Sequence, residues 1–124
     1  MGLERELVEE LSKVVARRGG TLQVKGNTLE IRSVGEPLYL TLYPSNGNVV
    51  IELKVEESID ERIDELLGED EDPREHLEEV LETLVSMVDE LERILRINGY
   101  SVIRRTREAI LDVYDAIEEK LEEA

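Results

Sequence analysis

The feature that most constrains the fold is a long amphipathic segment that begins near Asp72. Asp72 is a good helix N-cap and Pro73 suits the first helical position, so together they mark a helix start. Aliphatic residues then recur at spacings of four and three, the pattern of a helix packed lengthwise against another helix. These residues are Leu77, Leu81, Leu84, Val88, Leu91 and Leu95. Val80, Met87 and Ile94 widen the stripe, so we expect this helix to pack on two neighbours at once.

The pair Asn98-Gly99 ends this helix, because a glycine after the last turn can adopt the left-handed conformation that pairs the final carbonyl groups. Residues 100–104 fit either a short strand or the direct start of the next helix, and both interpretations stay open. From about Thr106 the pattern is helical again. The apolar stripe of this last helix consists of Ile110, Val113, Tyr114, Ile117 and Leu121.

The first half of the chain predicts one helix followed by four strands. The helix covers residues 3–18 and is stopped by Gly19-Gly20. Four alternating segments follow, separated by short turns rich in Gly, Asn and Pro. Because short connections favour neighbouring antiparallel strands, we expect a four-stranded antiparallel meander. The strand segments are residues 21–25, 28–32, 38–43 and 48–55.

Alternation along these strands predicts a sheet with one apolar face and one exposed face. The apolar face is predicted to consist of Leu22, Val24, Leu29, Ile31, Leu38, Leu40, Leu42, Ile51, Leu53 and Val55. The exposed face is predicted to consist of Gln23, Lys25, Glu30, Arg32, Tyr39, Thr41, Tyr43, Val50, Glu52 and Lys54.

The chain as a whole therefore predicts one α+β domain over residues 1–124. An N-terminal helix and the meander occupy residues 1–56. A short helix near residues 59–67 and the long helices form the acidic half, residues 57–124. We expect two to three helices on one sheet face, with a short fifth strand at residues 100–104 as the open alternative.

Charge and composition limit the classes of function. The chain of 124 residues has a net charge of −16. Residues 1–56 contain seven basic and eight acidic residues, a net of −1, whereas residues 57–124 contain eight and twenty-three, a net of −15. This charge disfavours binding to nucleic acid or to an anionic membrane, because both need clustered basic residues. Preference for Arg over Lys and a high Glu content are compatible with a thermophilic source.

The sequence also predicts a cytoplasmic location. It contains no cysteine, so it has no disulfides. No apolar run approaches the roughly 20 residues that span a bilayer. The first residues lack the profile of a signal peptide.

The interval from Arg93 to Arg107 differs most from its surroundings in charge. It has five arginines and no acidic residue, although it lies inside the acidic half. Arginine recognises carboxylates and phosphates and is enriched at interfaces. The interval therefore predicts contact with an acidic protein partner or with the acidic face of a second copy. Pairing with nearby glutamates in the same chain, and binding of nucleic acid, are the other interpretations. The residues concerned are Arg93, Arg96, Tyr100, Arg104, Arg105 and Arg107.

A second candidate surface lies on the exposed sheet face, where Tyr39 and Tyr43 flank Thr41 and lie near Val50. Tyrosines beside an apolar residue form a modest contact patch, which a dimer interface or a peptide-binding face would use. Ordinary cross-strand packing on a mixed surface is the alternative interpretation.

The segment Glu52-Leu53-Lys54 resembles the Glu-x-Lys element of a family of metal-dependent nucleases. In that family carboxylates hold Mg²⁺ and the lysine orients the attacking water. The resemblance covers three residues, and it implies a nuclease or hydrolase with Glu52 and Lys54 as catalytic residues. The upstream Pro-Asp of the family has its nearest counterpart in Pro44-Ser45, which lacks the carboxylate.

An acidic loop at residues 69–72, with His76 and Glu79 nearby, offers oxygen ligands of the kind that Ca²⁺ and Mg²⁺ prefer. It lacks the glycine and the ligand periodicity of a calcium loop. We therefore expect a solvated helix start whose carboxylates complement the helix dipole, and no metal site.

These patterns favour a small acidic protein, adaptor or chaperone-like, that is not an enzyme and binds another protein as a homodimer. The main reason is the broad stripe, because a helix that is apolar over about half its circumference has more surface to bury than one sheet face covers. No cofactor, metal or membrane is expected. The competing classes are a nuclease or hydrolase that uses Glu52 and Lys54, and nucleic-acid binding through the Arg93–Arg107 interval.

Overall fold

Residues 3–123, which a computed structural model describes, form four helices and one sheet of five strands. The α+β class and the four-stranded meander are confirmed. Residues 100–104 fitted either a short strand or a helix start, and the structure has a strand there. In chain order the elements are α1 Arg5–Arg17, β1 Gly20–Lys25, β2 Thr28–Ser33, β3 Leu38–Ser45, β4 Asn48–Val55, α2 Ile59–Gly68, α3 Pro73–Ile97, β5 Ser101–Arg105 and α4 Arg107–Glu123.

The sheet is mixed, with strand order β1-β2-β3-β4-β5. The first four strands pair antiparallel, whereas β5 lies parallel to β4 with Ile103 opposite Val50. Parallel neighbours cannot be joined by a tight turn. The chain therefore leaves β4, passes through α2 and α3, and returns to the sheet as β5.

Helix α3 is the centre of the core. Its apolar stripe is buried, and the helix contacts α1, α2, α4, β3 and β5. The prediction that it packs on more than one neighbour is confirmed. Because one chain buries the stripe, the stripe itself no longer requires a second chain to cover it. Among the helices of residues 3–123, none is both long and apolar enough to cross a bilayer.

The ends of α3 follow the local sequence. The Asp72 carboxylate accepts a hydrogen bond of 3.0 Å from the backbone N–H of Arg74, and Pro73 occupies the first turn. At the other end Gly99 has a φ of +89°, and the N–H of Tyr100 donates to the carbonyl oxygen of Leu95 at 3.0 Å. This left-handed glycine lets the chain leave α3 and enter β5 within three residues.

The helices pack on one sheet face, as predicted, and the register of the strands keeps the predicted alternation. Val24 lies on the apolar face opposite Leu29 but is 62% exposed, since it is near the end of the edge strand β1. Val50 lies on the face away from the helices, opposite Tyr43, but is 1% exposed.

Replacing Leu91 by alanine should lower the free energy of unfolding by about 2–5 kcal/mol, because a cavity remains where a leucine was fully buried. Leu91 lies on α3 and is 0% exposed. The matched control is Leu111→Ala on α4, where the side chain is 55% exposed; we expect a change within about 0.5 kcal/mol. Urea denaturation followed by circular dichroism measures both. Equal losses in the two variants would contradict the central position of α3.

Candidate interaction surface

The sheet face opposite the helices, which we call the open face, brings together residues that are distant in the sequence. Lys54 on β4 pairs with Tyr39 on β3. Glu52 on the same strand lies between Thr41 of β3 and Arg105 of β5. The tyrosine patch, the Glu-x-Lys segment and one arginine of the Arg93–Arg107 interval therefore share one surface, because β5 inserts beside β4.

An apolar row crosses the open face. Tyr43, Val50 and Ile103 occupy one register line across β3, β4 and β5. Val50 is 1% exposed and Ile103 is 39% exposed. The helices lie on the other face, so the cross-strand neighbours on either side shield Val50. The row is an apolar cluster separate from the main core.

Thr41 lies next to this row and is the one buried polar residue among the side chains of residues 3–122. It is 8% exposed, and its Oγ1 has no hydrogen-bond partner among those side chains or the described backbone. Its neighbours across the strands are Glu30 and Glu52. The hydroxyl is thus a buried polar atom without a described partner, beneath the cross-strand neighbours at the middle of the open face.

Glu52 is held by a tyrosine and not by a cation. The Tyr43 hydroxyl donates to Oε1 of Glu52 at 3.1 Å, and Nη1 of Arg105 lies 3.4 Å from the same hydroxyl oxygen. Within the described part of the chain, neither Lys54 nor Arg105 forms an ion pair with a carboxylate. Glu52 therefore lies beside these two cations and contacts Arg105 only through the Tyr43 hydroxyl.

At the other end of the open face the charges are paired. Glu30 accepts hydrogen bonds from Lys25 at 3.0 Å and from Arg32 at 2.6 Å, and Arg32 also reaches Glu56. The hydrogen bond from Lys25, followed by that from Arg32, holds the pKa of the Glu30 carboxyl below its usual range. The guanidinium of Arg32 also lies 4.3 Å from the centre of the Tyr39 ring. This end of the open face is electrostatically balanced.

The Arg93–Arg107 interval does not form one surface. Arg104 lies on the helix-facing side of β5, where Nε donates to Glu92 at 2.7 Å and Nη2 donates to Asp89 at 2.7 Å. Arg96 also donates to Glu92, at 3.1 Å. The hydrogen bond from Arg104, assisted by the one from Arg96, lowers the pKa of Glu92, although partial burial opposes the shift. Arg104 therefore joins β5 to α3, whereas the Arg96 pair lies within α3.

The remaining residues of the interval lie in three places. Tyr100 is half-buried against the core. Arg93 lies on α3 near Glu90 and interacts with it electrostatically. Arg105 and Arg107 stand where β5 ends and α4 begins, and neither has a carboxylate partner among the described side chains. Only this last pair is placed beside the open face.

His76 takes part in a cluster of polar and charged side chains that the sequence did not predict. Its Nε2 lies 2.8 Å from Oε2 of Glu36, and Arg62 donates to the other oxygen of the same carboxylate at 3.0 Å. The side chain of Glu36 is only 9% exposed. The cluster joins the loop before β3 to α2 and α3. One signal in the sequence is Glu36 itself, an isolated acid between Gly35 and Pro37.

The residues described by the structure contain no group of three His, Cys, Asp or Glu side chains arranged to hold a metal ion. The interpretation of Glu52 and Lys54 as nuclease residues stays a prediction from the three-residue resemblance. Comparison of the chain with known protein families, with curated proteins and with solved structures found no significant match.

Replacing Arg104 by glutamine should lower the free energy of unfolding by about 0.5–1 kcal/mol at neutral pH, because Asp89 and Glu92 lose their shared partner. Solvent screening keeps the effect small, since the Arg104 side chain is 35% exposed. The matched control is Arg105→Gln, which removes the same charge from the next residue without breaking an ion pair. We expect the control to change stability by less than about 0.5 kcal/mol.

The gap between the wild type and Arg104→Gln should depend on pH. Since the pKa of Glu92 is lowered in the folded state, the ion pair stabilises the fold above the unfolded-state pKa of about 4.3. The contribution is lost as the pH falls through the lower, folded-state pKa. Urea denaturation between pH 7 and pH 3 measures the gap. A gap that stays constant over this range would show that Glu92 does not supply it.

Proposed function

We propose that this chain is a small non-enzymatic protein-interaction domain, adaptor or chaperone-like, that works as a homodimer and makes its contacts through the open face. The observation that carries the proposal is the apolar row Tyr43, Val50 and Ile103 on the face without helices. Val50 is already shielded, whereas Tyr43 is half-buried and Ile103 is 39% exposed. A second protein surface would cover these two side chains.

The residues around the row are of the types that dominate binding energy at protein interfaces. Tyrosine and arginine are enriched in interface hot spots, where rigid or planar side chains are desolvated on contact. Tyr39 and Tyr43 lie on the central strand β3, and Arg105 contacts the Tyr43 hydroxyl. The rim carries charges of both signs, as in Lys25, Glu30 and Arg32, so a two-fold related copy meets complementary groups.

The distribution of charge also favours the open face as the contact between two copies. Residues 57–124 have a net charge of −15, and three of the four helices come from this half. Two copies that met through their helices would bring two strongly acidic surfaces together. Two copies that meet through their sheets keep the acidic layers on opposite sides of the dimer, where repulsion is weakest.

A cytoplasmic location belongs to the proposal, because a chain without cysteine gains nothing from an oxidising compartment. The proposed binding needs no cofactor and no metal. Residues Tyr39, Tyr43 and Arg105 are the contact residues to test first.

The substitution Ile103→Lys should convert the dimer to a monomer, because it places a charge in the apolar row at the proposed interface. Light scattering behind size exclusion, at low and high salt, measures the mass. We expect the wild type to be a dimer at both salt concentrations, since the contact is mainly apolar.

The matched control is Leu111→Lys, which adds the same charge at an apolar residue that is 55% exposed on α4. It should remain a dimer. A wild type that is monomeric at every concentration would overturn the proposed homodimer. A dimer that survives Ile103→Lys and dissociates in Leu111→Lys would move the interface to the helices.

A further inference from the structure

A cleft of about 550 Å³ lies where β5 ends, beside the open face and separate from the apolar row. Strand β5 pairs only with the first part of β4 and stops opposite Glu52, so the last residues of β4 form one wall. The first turns of α4 form the other wall. The chain passes from one wall to the other through Arg105, Thr106 and Arg107.

Three cations in this cleft form no ion pair with a carboxylate among the described side chains. Lys54, Arg105 and Arg107 all line it, and none has a carboxylate within ion-pair distance in the described part of the chain. A fourth, Arg104, is already bound to Asp89 and Glu92. The full chain has 31 acidic and 15 basic residues, so acids are abundant as partners. In such an acidic chain, three neighbouring cations that lie outside every ion pair of the described residues are therefore exceptional.

Three acidic residues also line the cleft, and none of them forms an ion pair with the three cations in the described part of the chain. Glu52 accepts its hydrogen bond from Tyr43. Glu108 and Asp112 belong to the α4 wall, and neither forms an ion pair with the three cations. Arg107 is the first residue of α4, where a positive charge opposes the helix dipole, and Glu108 in the same turn offsets it. An anion bound between the three cations would relieve the repulsion among them.

We propose that this cleft binds a small polyanion, a phosphorylated or polycarboxylate molecule with at least two negative charges. Arg105 and Arg107 donate to its oxygens in the forked geometry that suits carboxylate and phosphate, and Lys54 supplies the third positive charge. The ligand is small and not a nucleic-acid strand, since a strand leaving the cleft would run along an acidic half with a net charge of −15. This site goes beyond the proposed dimer and shares Arg105 with its proposed contact surface.

The test uses pyrophosphate and citrate as probes at an ionic strength of about 150 mM, where weak surface attraction is screened. Thermal unfolding and isothermal titration calorimetry are measured for the wild type, for Arg105→Gln with Arg107→Gln, and for Arg93→Gln. The Arg93 variant loses the same kind of charge from the same interval, outside the cleft. Light scattering on each variant reports the dimer separately.

We expect at least one probe to raise the Tm of the wild type by about 4 °C at tenfold excess over Kd. The double variant should bind about a hundredfold more weakly or worse, whereas Arg93→Gln should bind normally. Binding of pyrophosphate alone assigns a phosphorylated ligand, and binding of citrate alone assigns a polycarboxylate. Without a probe, the double variant should be no less stable than the wild type, because it relieves the repulsion.

Three outcomes would overturn the proposal. One is the absence of any shift or heat with both probes. Another is an equal shift in all three proteins, which means nonspecific screening of charge. The third is binding of a single-stranded oligonucleotide, lost in the double variant, with no binding of the small probes. Since the mass of each variant is measured independently, failure of this site leaves the dimer question open to its own test.

Discussion

Burial of the apolar stripe of α3 is the constraint on which the rest of the structure depends. A helix of 25 residues with apolar side chains over a broad arc needs partners on several sides. The inner face of the sheet, α1 and α4 supply them. To complete this layer the chain must cross from β4 through α2 and α3 before it returns to the sheet, so β5 is parallel to β4 and all helices lie on one face.

Two consequences follow for the outer surface. The helical layer collects most of the acidic residues, which keeps that side hydrated and repels other acidic surfaces. The opposite sheet face is left without cover, and it holds the apolar row Tyr43, Val50 and Ile103. The proposed dimer and the proposed anion cleft both arise at β5, because this strand supplies Ile103 to the row and Arg105 to the cleft. Strand β5, the last strand in the chain, thus contributes residues to both candidate surfaces.

The sequence predicts the elements well because each has a local cause. Asp72 and Pro73 start α3, Gly99 ends it, and alternation marks the strands. The sequence does not predict which edge strand β5 pairs with, since five residues of mixed polarity do not specify a register. For the same reason the sequence could not place Arg104 against Asp89 or bring Glu36 to His76. Such contacts depend on the crossover and appear only when the fold is assembled.

The most direct test of the open face as an interface compares three of the four tyrosines of the chain, without any substitution. Tyr39 and Tyr43 lie on the open face, whereas Tyr114 lies on α4 and donates to Glu78. The measurement is the rate of acetylation of each tyrosine by N-acetylimidazole, followed by mass spectrometry over a range of protein concentrations. The account predicts that Tyr39 and Tyr43 become protected as concentration rises, while Tyr114 does not change. Protection of Tyr114 alone, or no dependence on concentration at any tyrosine, would contradict it.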